Sequence, residues 1–201
     1  MLFFETIEPD TLSLLRSLSD EKFLKDFRLV GGTSLALQIG HRISIDLDFF
    51  GVGSHLGFTA EDIGTEIEVV NKTKTILNTF IKNIKVDFVS TPYPFISEPL
   101  VYENISLASM KDIGAMKLSA ITGRGSKKDF VDIHFLLKQF SLRELLGFYS
   151  RKYQDASMFL LYKSLLYFDD ADQEPLPKMT SHIIWDEIKE SIQKEVKKQF
   201  P

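Results

Sequence analysis

Residues 29–50, LVGGTSLALQIGHRISIDLDFF, join a Gly-Gly-Thr turn to an Ile-Asp-Leu-Asp-Phe strand. Strand side chains alternate between faces. Ile45, Leu47 and Phe49 are therefore expected to point into a core, while Asp46 and Asp48 project together from the opposite face. Two carboxylates about 7 Å apart along one strand repel each other unless something cationic lies between them. Hard divalent cations, Mg²⁺ foremost and Mn²⁺ as a substitute, prefer such oxygen ligands. The chemistry indicated is metal-dependent phosphoryl or nucleotidyl transfer.

The Gly31-Gly32 turn lets the backbone approach a phosphate closely, and the N–H groups at the following helix start can donate to its oxygens. Thr33 would add a hydroxyl to that anion site. A third carboxylate is expected at Asp87 in IKVDFVS, where Val86 and Phe88 face one way and Asp87 the other. Asp46 and Asp48 would then bridge two metal ions, and Asp87 would bind the one nearest an attacking hydroxyl. The plain alternative is a half-exposed strand whose aspartates meet only water. For Asp46 and Asp48 the preceding Gly-Gly turn argues against it, whereas Asp87 rests on alternation alone.

Around these residues the pattern reads as follows. One or two short helices cover 9–26, capped at Asp10 or Thr11, and an extended segment runs from Phe27 to Val30. A helix spans Thr33 to Ile39, stopped by Gly40, and the Asp-x-Asp strand covers 43–50. Thr59, with Asp62 as its box partner, predicts a helix to about Val70. Strands follow at 73–82 and 84–90 around a turn at Asn83, then one strand at 101–107. From Ser109 the periodicity is helical. A helix ends at Gly123, the next is capped by Ser126, two more by Ser141 and Asp155, and the last covers roughly 181–200. The architecture expected is α+β with a small mixed sheet in residues 1–108, followed by a helical bundle in 109–201.

Composition narrows the class. Hydrophobic residues make up 44% of the 201, with 17 phenylalanines, enough for a sizeable core and against disorder. There is no cysteine, which removes disulfides, thiolate metal sites and a Cys nucleophile. No apolar run reaches the ~20 residues that span a bilayer, and the opening MLFFETIEPD lacks a basic n-region, so no membrane association and a cytoplasmic location are expected. The net charge of −4 offers no global attraction to nucleic acid. Lys111, Lys117, Arg124, Lys127 and Lys128 nevertheless stand against only Asp112 in 111–128, a local patch suited to a phosphate-bearing substrate. Gly123-Arg124-Gly125-Ser126-Lys127 lacks P-loop spacing, and the four histidines form no zinc pattern.

The order strand, Gly-Gly, helix, Asp-x-Asp strand is that of the nucleotidyltransferases related to DNA polymerase β. Within them the chain resembles the AbiEii-like abortive-infection toxins. The resemblance lies in LVGGTSLALQIGHRISIDLDFF, in DIGAMKLSAITGRGSKKDFVDIHFLL at 112–137 and in LYFDDAD at 166–172. It implies that Gly31, Gly32 and Thr33 form the nucleotide-phosphate turn and that Arg42 and Ser44 shape the metal site or touch the triphosphate. Asp46 and Asp48 would be the metal-binding pair, with Lys117 as the helix lysine. Arg124, Lys128, Asp129 and Asp132 match an Arg-x-x-x-Lys-Asp-x-x-Asp pattern set against the nucleotide, with Lys117 and Asp129 counted among the catalytic groups. The chain is short for the family.

By this resemblance the fold is a polymerase-β-like core whose helical half closes over a cleft. The reaction is transfer of a nucleoside monophosphate from an NTP to an acceptor hydroxyl. Relatives act as toxins of bacterial toxin–antitoxin and phage-defence systems, some on tRNA acceptor ends, with an antitoxin encoded beside them. Two other readings stay open: a transferase acting on a protein or small molecule, and a non-catalytic module that keeps the nucleotide pocket. Fold and family do not fix the acceptor.

Overall fold

Leu47, Phe49, Val86 and Phe88 are buried in one hydrophobic core, and this fixes which face of their strands is left for the aspartates between them. The computed structural model describes residues 2–63 and 66–199. It divides into two units, Met1–Ser109 and Met110–Pro201.

The first unit opens with a helix, α1 (Pro9–Ser19), whose Pro9 takes the first helical position. That position needs no N–H and suits the fixed φ of proline, so the helix begins before the caps expected at Asp10 or Thr11. Strand β1 (Phe27–Leu29) leads into helix α2 (Gly31–Ile39), closed by Gly40. Strand β2 (Leu47–Val52) follows. It starts four residues later than the pattern predicts: Ile45 precedes it and is 62% exposed, so Ile45 is not a core residue.

Residues 59–70 are the largest departure from expectation. Asp62 does accept hydrogen bonds from the Thr59 N–H (2.7 Å) and hydroxyl (3.1 Å). The helix it starts is a single 3₁₀ turn, Ala60–Ile63; Gly64 and Thr65 lie outside the described residues. Ile67–Lys72 is then strand β3, paired antiparallel with β4 (Ile76–Ile81). A β-branched run, Ile67, Val69 and Val70, meets a ready partner strand, and pairing overrides the local cap. Strand β5 (Ile84–Thr91) returns through Lys82 and Asn83, both at positive φ, the backbone that a tight two-residue hairpin needs. The single strand expected over 101–107 is instead a hairpin of β6 (Leu100–Tyr102) and β7 (Ile105–Leu107).

The strands make one mixed sheet in the order β3-β4-β5-β2-β1-β7-β6. Parallel pairing joins β2 to β5 and β1 to β7; the rest are antiparallel. Phe49 stacks on Phe88 with centroids 5.6 Å apart, and Phe58 closes edge-on over Phe88. These aromatics make slippage of β2 against β5 costly, because a one-residue shift would swap faces.

The second unit is helical: α3 (Met110–Gly123), α4 (Lys127–Leu136), α5 (Leu142–Lys152), α6 (Met158–Leu165), a short α7 (Asp169–Asp172) and α8 (Trp185–Lys197). Helix α3 packs against α4, α5 and α6, and α4 against α8. Ser141 and Glu144 form a complete capping box on α5. Helix α6 is capped by Ser157 rather than Asp155. Among the described residues no helix is long and apolar enough to cross a membrane.

Candidate active site

The parallel register of β2 and β5 sets Asp48 opposite Asp87, with Leu47 opposite Val86 and Phe49 opposite Phe88. Register partners on neighbouring strands share a face at about 4.8 Å spacing. Since the leucine, valine and phenylalanines fill the core, Asp48 and Asp87 emerge together on the other side. Asp46 precedes the strand and is partly exposed.

One residue that sequence reasoning missed belongs here. Lys85, two residues before Asp87 and so on the same face, places its Nζ 2.9 Å from Asp87 Oδ2. The hydrogen bond to Asp87 raises the Lys85 pKa, burial opposes it, and the charges of Asp87, Asp46 and Asp48 add to the rise. The other Asp87 oxygen, Oδ1, is buried with no hydrogen-bond partner among the described residues. The Lys-x-Asp spacing in IKVDF was the available signal, read only for its aspartate.

The donors suit a hard divalent cation: carboxylate oxygens, one of them buried and unsatisfied. Their present arrangement is not a closed cage, for among the described residues no three His, Cys, Asp or Glu side chains are grouped as metal ligands. An ammonium lies against the group instead.

Helix α2 starts beside these carboxylates. Gly31 has φ +67°, and a Cβ on it would lie 2.5 Å from Asp48 Oδ2. A Cβ on Gly32 would lie 2.0 Å from an Arg42 guanidinium nitrogen. Both glycines are thus required by close approach, the first to Asp48 and the second to Arg42, a buried cation near the amide-rich start of the helix. Thr33 also holds a neighbouring segment in place. Its single hydroxyl proton goes to the main-chain oxygen of Asp46, a carbonyl that can only accept. The Ser44 hydroxyl, 2.8 Å away, then donates to Thr33. Thr33 and Ser44, both buried, therefore fix the segment carrying Asp46.

In the second unit the charges of the sequence pattern form a buried network. Lys117 Nζ, 5% exposed, lies 2.9 Å from Asp129 Oδ1 and 2.6 Å from Asp132 Oδ2. Arg124 adds hydrogen bonds to both Asp129 oxygens and Ser126 donates to Oδ2. Burial alone would raise the Asp129 pKa. The Lys117 charge and the Arg124 hydrogen bond and charge outweigh it and bring it to about 2. Asp132 pairs with Lys117 across helices, and no Lys128–Asp132 ion pair forms. Two cations of the basic patch expected over 111–128, Lys117 and Lys127, are buried. Lys117 is internal, and Lys127 is buried with its N–H on Glu174 Oε2 and its Nζ on the Glu174 main-chain oxygen. Asp112 is paired with Lys152 at 3.1 Å. Lys111, Arg124 and Lys128 keep exposed charge.

Residues 13–201 match the family described as "Nucleotidyl transferase AbiEii toxin, Type IV TA system". The chain belongs to the AbiEii nucleotidyltransferase toxin family. As an AbiEii protein it is a nucleotidyltransferase, and the match takes in nearly all of both units. It is also 34% identical to the protein aq_aa25 of Aquifex aeolicus over 182 residues, 86% of this chain and 87% of that one. Among solved structures, JHP933 from Helicobacter pylori superposes with a TM-score of 0.57 at 19% identity, covering 95% of this chain and 92% of that one. MenT4, a nucleotidyltransferase toxin from Mycobacterium tuberculosis, gives 0.56 at 13%, covering 94% and 84%. At such identities these two structures establish that the AbiEii chain shares their fold.

Proposed function

We propose that this AbiEii protein transfers a nucleoside monophosphate from an NTP to the terminal hydroxyl of tRNA, that it requires Mg²⁺ or Mn²⁺, and that a cognate antitoxin from a neighbouring gene restrains it. The observation that carries the reading is the register of Asp48 with Asp87 beside the Gly31 turn.

Asp46, Asp48 and Asp87 would hold the divalent cation, which would supply charge stabilisation for an in-line displacement. Asp87 Oδ1, without a hydrogen-bond partner among the described residues, receives the hydrogen bond of the acceptor hydroxyl. That oxygen bonds to the α-phosphorus as the α–β phosphoanhydride bond breaks, pyrophosphate leaves, and the hydroxyl proton passes to Asp87 and then to water. The free N–H groups of Gly31 and Gly32 and the Arg42 guanidinium take the phosphate oxygens. Thr33 and Ser44 act by holding the Asp46 segment. In the second unit, Lys117, Asp129 and Asp132 form a scaffold that sets Arg124; Arg124 and Lys128 are assigned to phosphate by their exposed positive charge.

The test is incubation of purified protein with labelled NTPs, total RNA and lysate protein. Label is expected in the tRNA fraction, lost with chelator and with Asp48→Asn. Label in protein or small molecules would replace the acceptor. Growth arrest by Asp48→Ala equal to that of the wild type would make the protein a binding module.

A further inference from the structure

We propose that Lys85 is the built-in counter-ion of the carboxylate site: its ammonium rests on Asp87 beside Asp46 and Asp48, and it must swing away for a divalent cation to enter. This deepens the reading above and rests on its metal assignment.

Four residues carry the inference. Lys85 and Asp87 stand two apart on β5 and share a face. Asp48 is the register partner of Asp87 on β2, and the charge of Asp46, just before that strand, also acts on Lys85. On the other flank, β4 offers Phe80 opposite Lys85 and Asn78 opposite Asp87, neither of them charged. On these strands Lys85 is thus the cation that shares a face with the carboxylates, while the Arg42 guanidinium lies across the Gly31-Gly32 turn. The Lys85 side chain is 45% exposed while that of Asp87 is 15% exposed. Charge, not packing, holds the lysine there, so it is free to leave. An ammonium 2.9 Å from Asp87 Oδ2 occupies the approach that a second cation would use, and like charges at that range repel strongly.

The consequence is competition. Bare metal binds weakly because it must displace Lys85. A triphosphate arriving with the metal brings negative charge that can accept the displaced ammonium. Metal occupancy is thereby tied to the presence of nucleotide, and Lys85 compensates part of the carboxylate charge in its absence.

The test is Mn²⁺ titration followed by electron paramagnetic resonance, with no nucleotide present, alongside thermal denaturation. Lys85→Met should bind Mn²⁺ about tenfold tighter or more, as expected on removing one like charge at a few ångströms. Its metal-free Tm should fall and be restored by Mn²⁺ beyond the gain seen in the wild type. Lys85→Arg, which keeps the charge, should retain weak binding; Lys85→Gln serves if the methionine variant does not fold. Unchanged or weaker Mn²⁺ affinity in the neutral variant, with wild-type binding still abolished by Asp48→Asn, overturns the counter-ion role alone. Binding indifferent to Asp48→Asn, or absent from both wild type and Lys85→Met, overturns the metal assignment and this inference with it.

Discussion

Asp48 and Asp87 are register partners across parallel strands, held so by the stacking of Phe49 on Phe88 behind them. Their side chains do no packing work. Asp48→Asn should therefore leave the fold intact, with Tm changed by less than about 5 °C, while nucleotidyl transfer drops by about 10²-fold or more. Phe88→Ala should do the reverse in order of cause. Emptying a fully buried ring costs about 3–5 kcal/mol, and activity falls because the strand pair loosens. Steady-state kinetics beside thermal melts separates the two.

Gly31→Ala has two penalties that read out differently. The positive φ costs an alanine about 1 kcal/mol, visible in Tm. The new Cβ also displaces the Asp48 carboxylate, so kcat should fall further than Tm suggests. Gly32→Ala instead pushes the Arg42 guanidinium aside; the expected result is a raised KM for NTP with little loss of stability.

How much of this was legible from the chain depends on distance in sequence. Leu47, Asp48 and Phe49 announce a two-faced strand by period, and Asp87 between Val86 and Phe88 does the same. That the two strands are parallel neighbours in register is a long-range fact without a local signal. Thr59 and Asp62 form the contact their spacing predicts, yet the helix ends after one turn because Ile67 to Lys72 finds a strand to pair with. Ile45 shows the limit of alternation: the rule holds only where the strand does. Ser141 with Glu144 was readable as a cap because a capping box is wholly local. Lys117, Asp129 and Asp132 were readable as a group, but their mutual burial was not, since a charge pattern does not reveal which helix faces inward.

The burial of that group makes a distinct prediction. Asp129→Asn removes the carboxylate that Lys117 and Arg124 share, at a cost of about 3–5 kcal/mol for breaking a buried pair. Stability and activity should therefore fall together, in contrast to Asp48→Asn. Lys128→Ala, at an exposed position, should leave Tm unchanged and weaken NTP binding only.

Acid should unfold the second unit in two separable stages. His134 Nδ1 lies 2.5 Å from Ser191 Oγ, and that hydroxyl donates to the Ile188 carbonyl. Ser191 must then accept from Nδ1–H, which leaves Nε2 as the bare nitrogen, buried with no partner among the described residues. Burial first, then the charge of Lys138, lowers the His134 pKa to about 4, against a small opposing pull from Glu187. A depressed pKa means that the unfolded chain binds the proton first. The stabilisation is complete above the ordinary histidine value and is lost as pH falls from about 6.5 to 4, with a slope of at most about 1.4 kcal/mol per pH unit. Asp129, held at about 2, supports the fold until pH drops below the ordinary carboxylate range, and its share is lost between about 4 and 2. Thermal melts across pH should show both limbs. His134→Leu should flatten only the upper one and Asp129→Asn only the lower; loss of both limbs in either single variant would mean that the groups do not titrate independently.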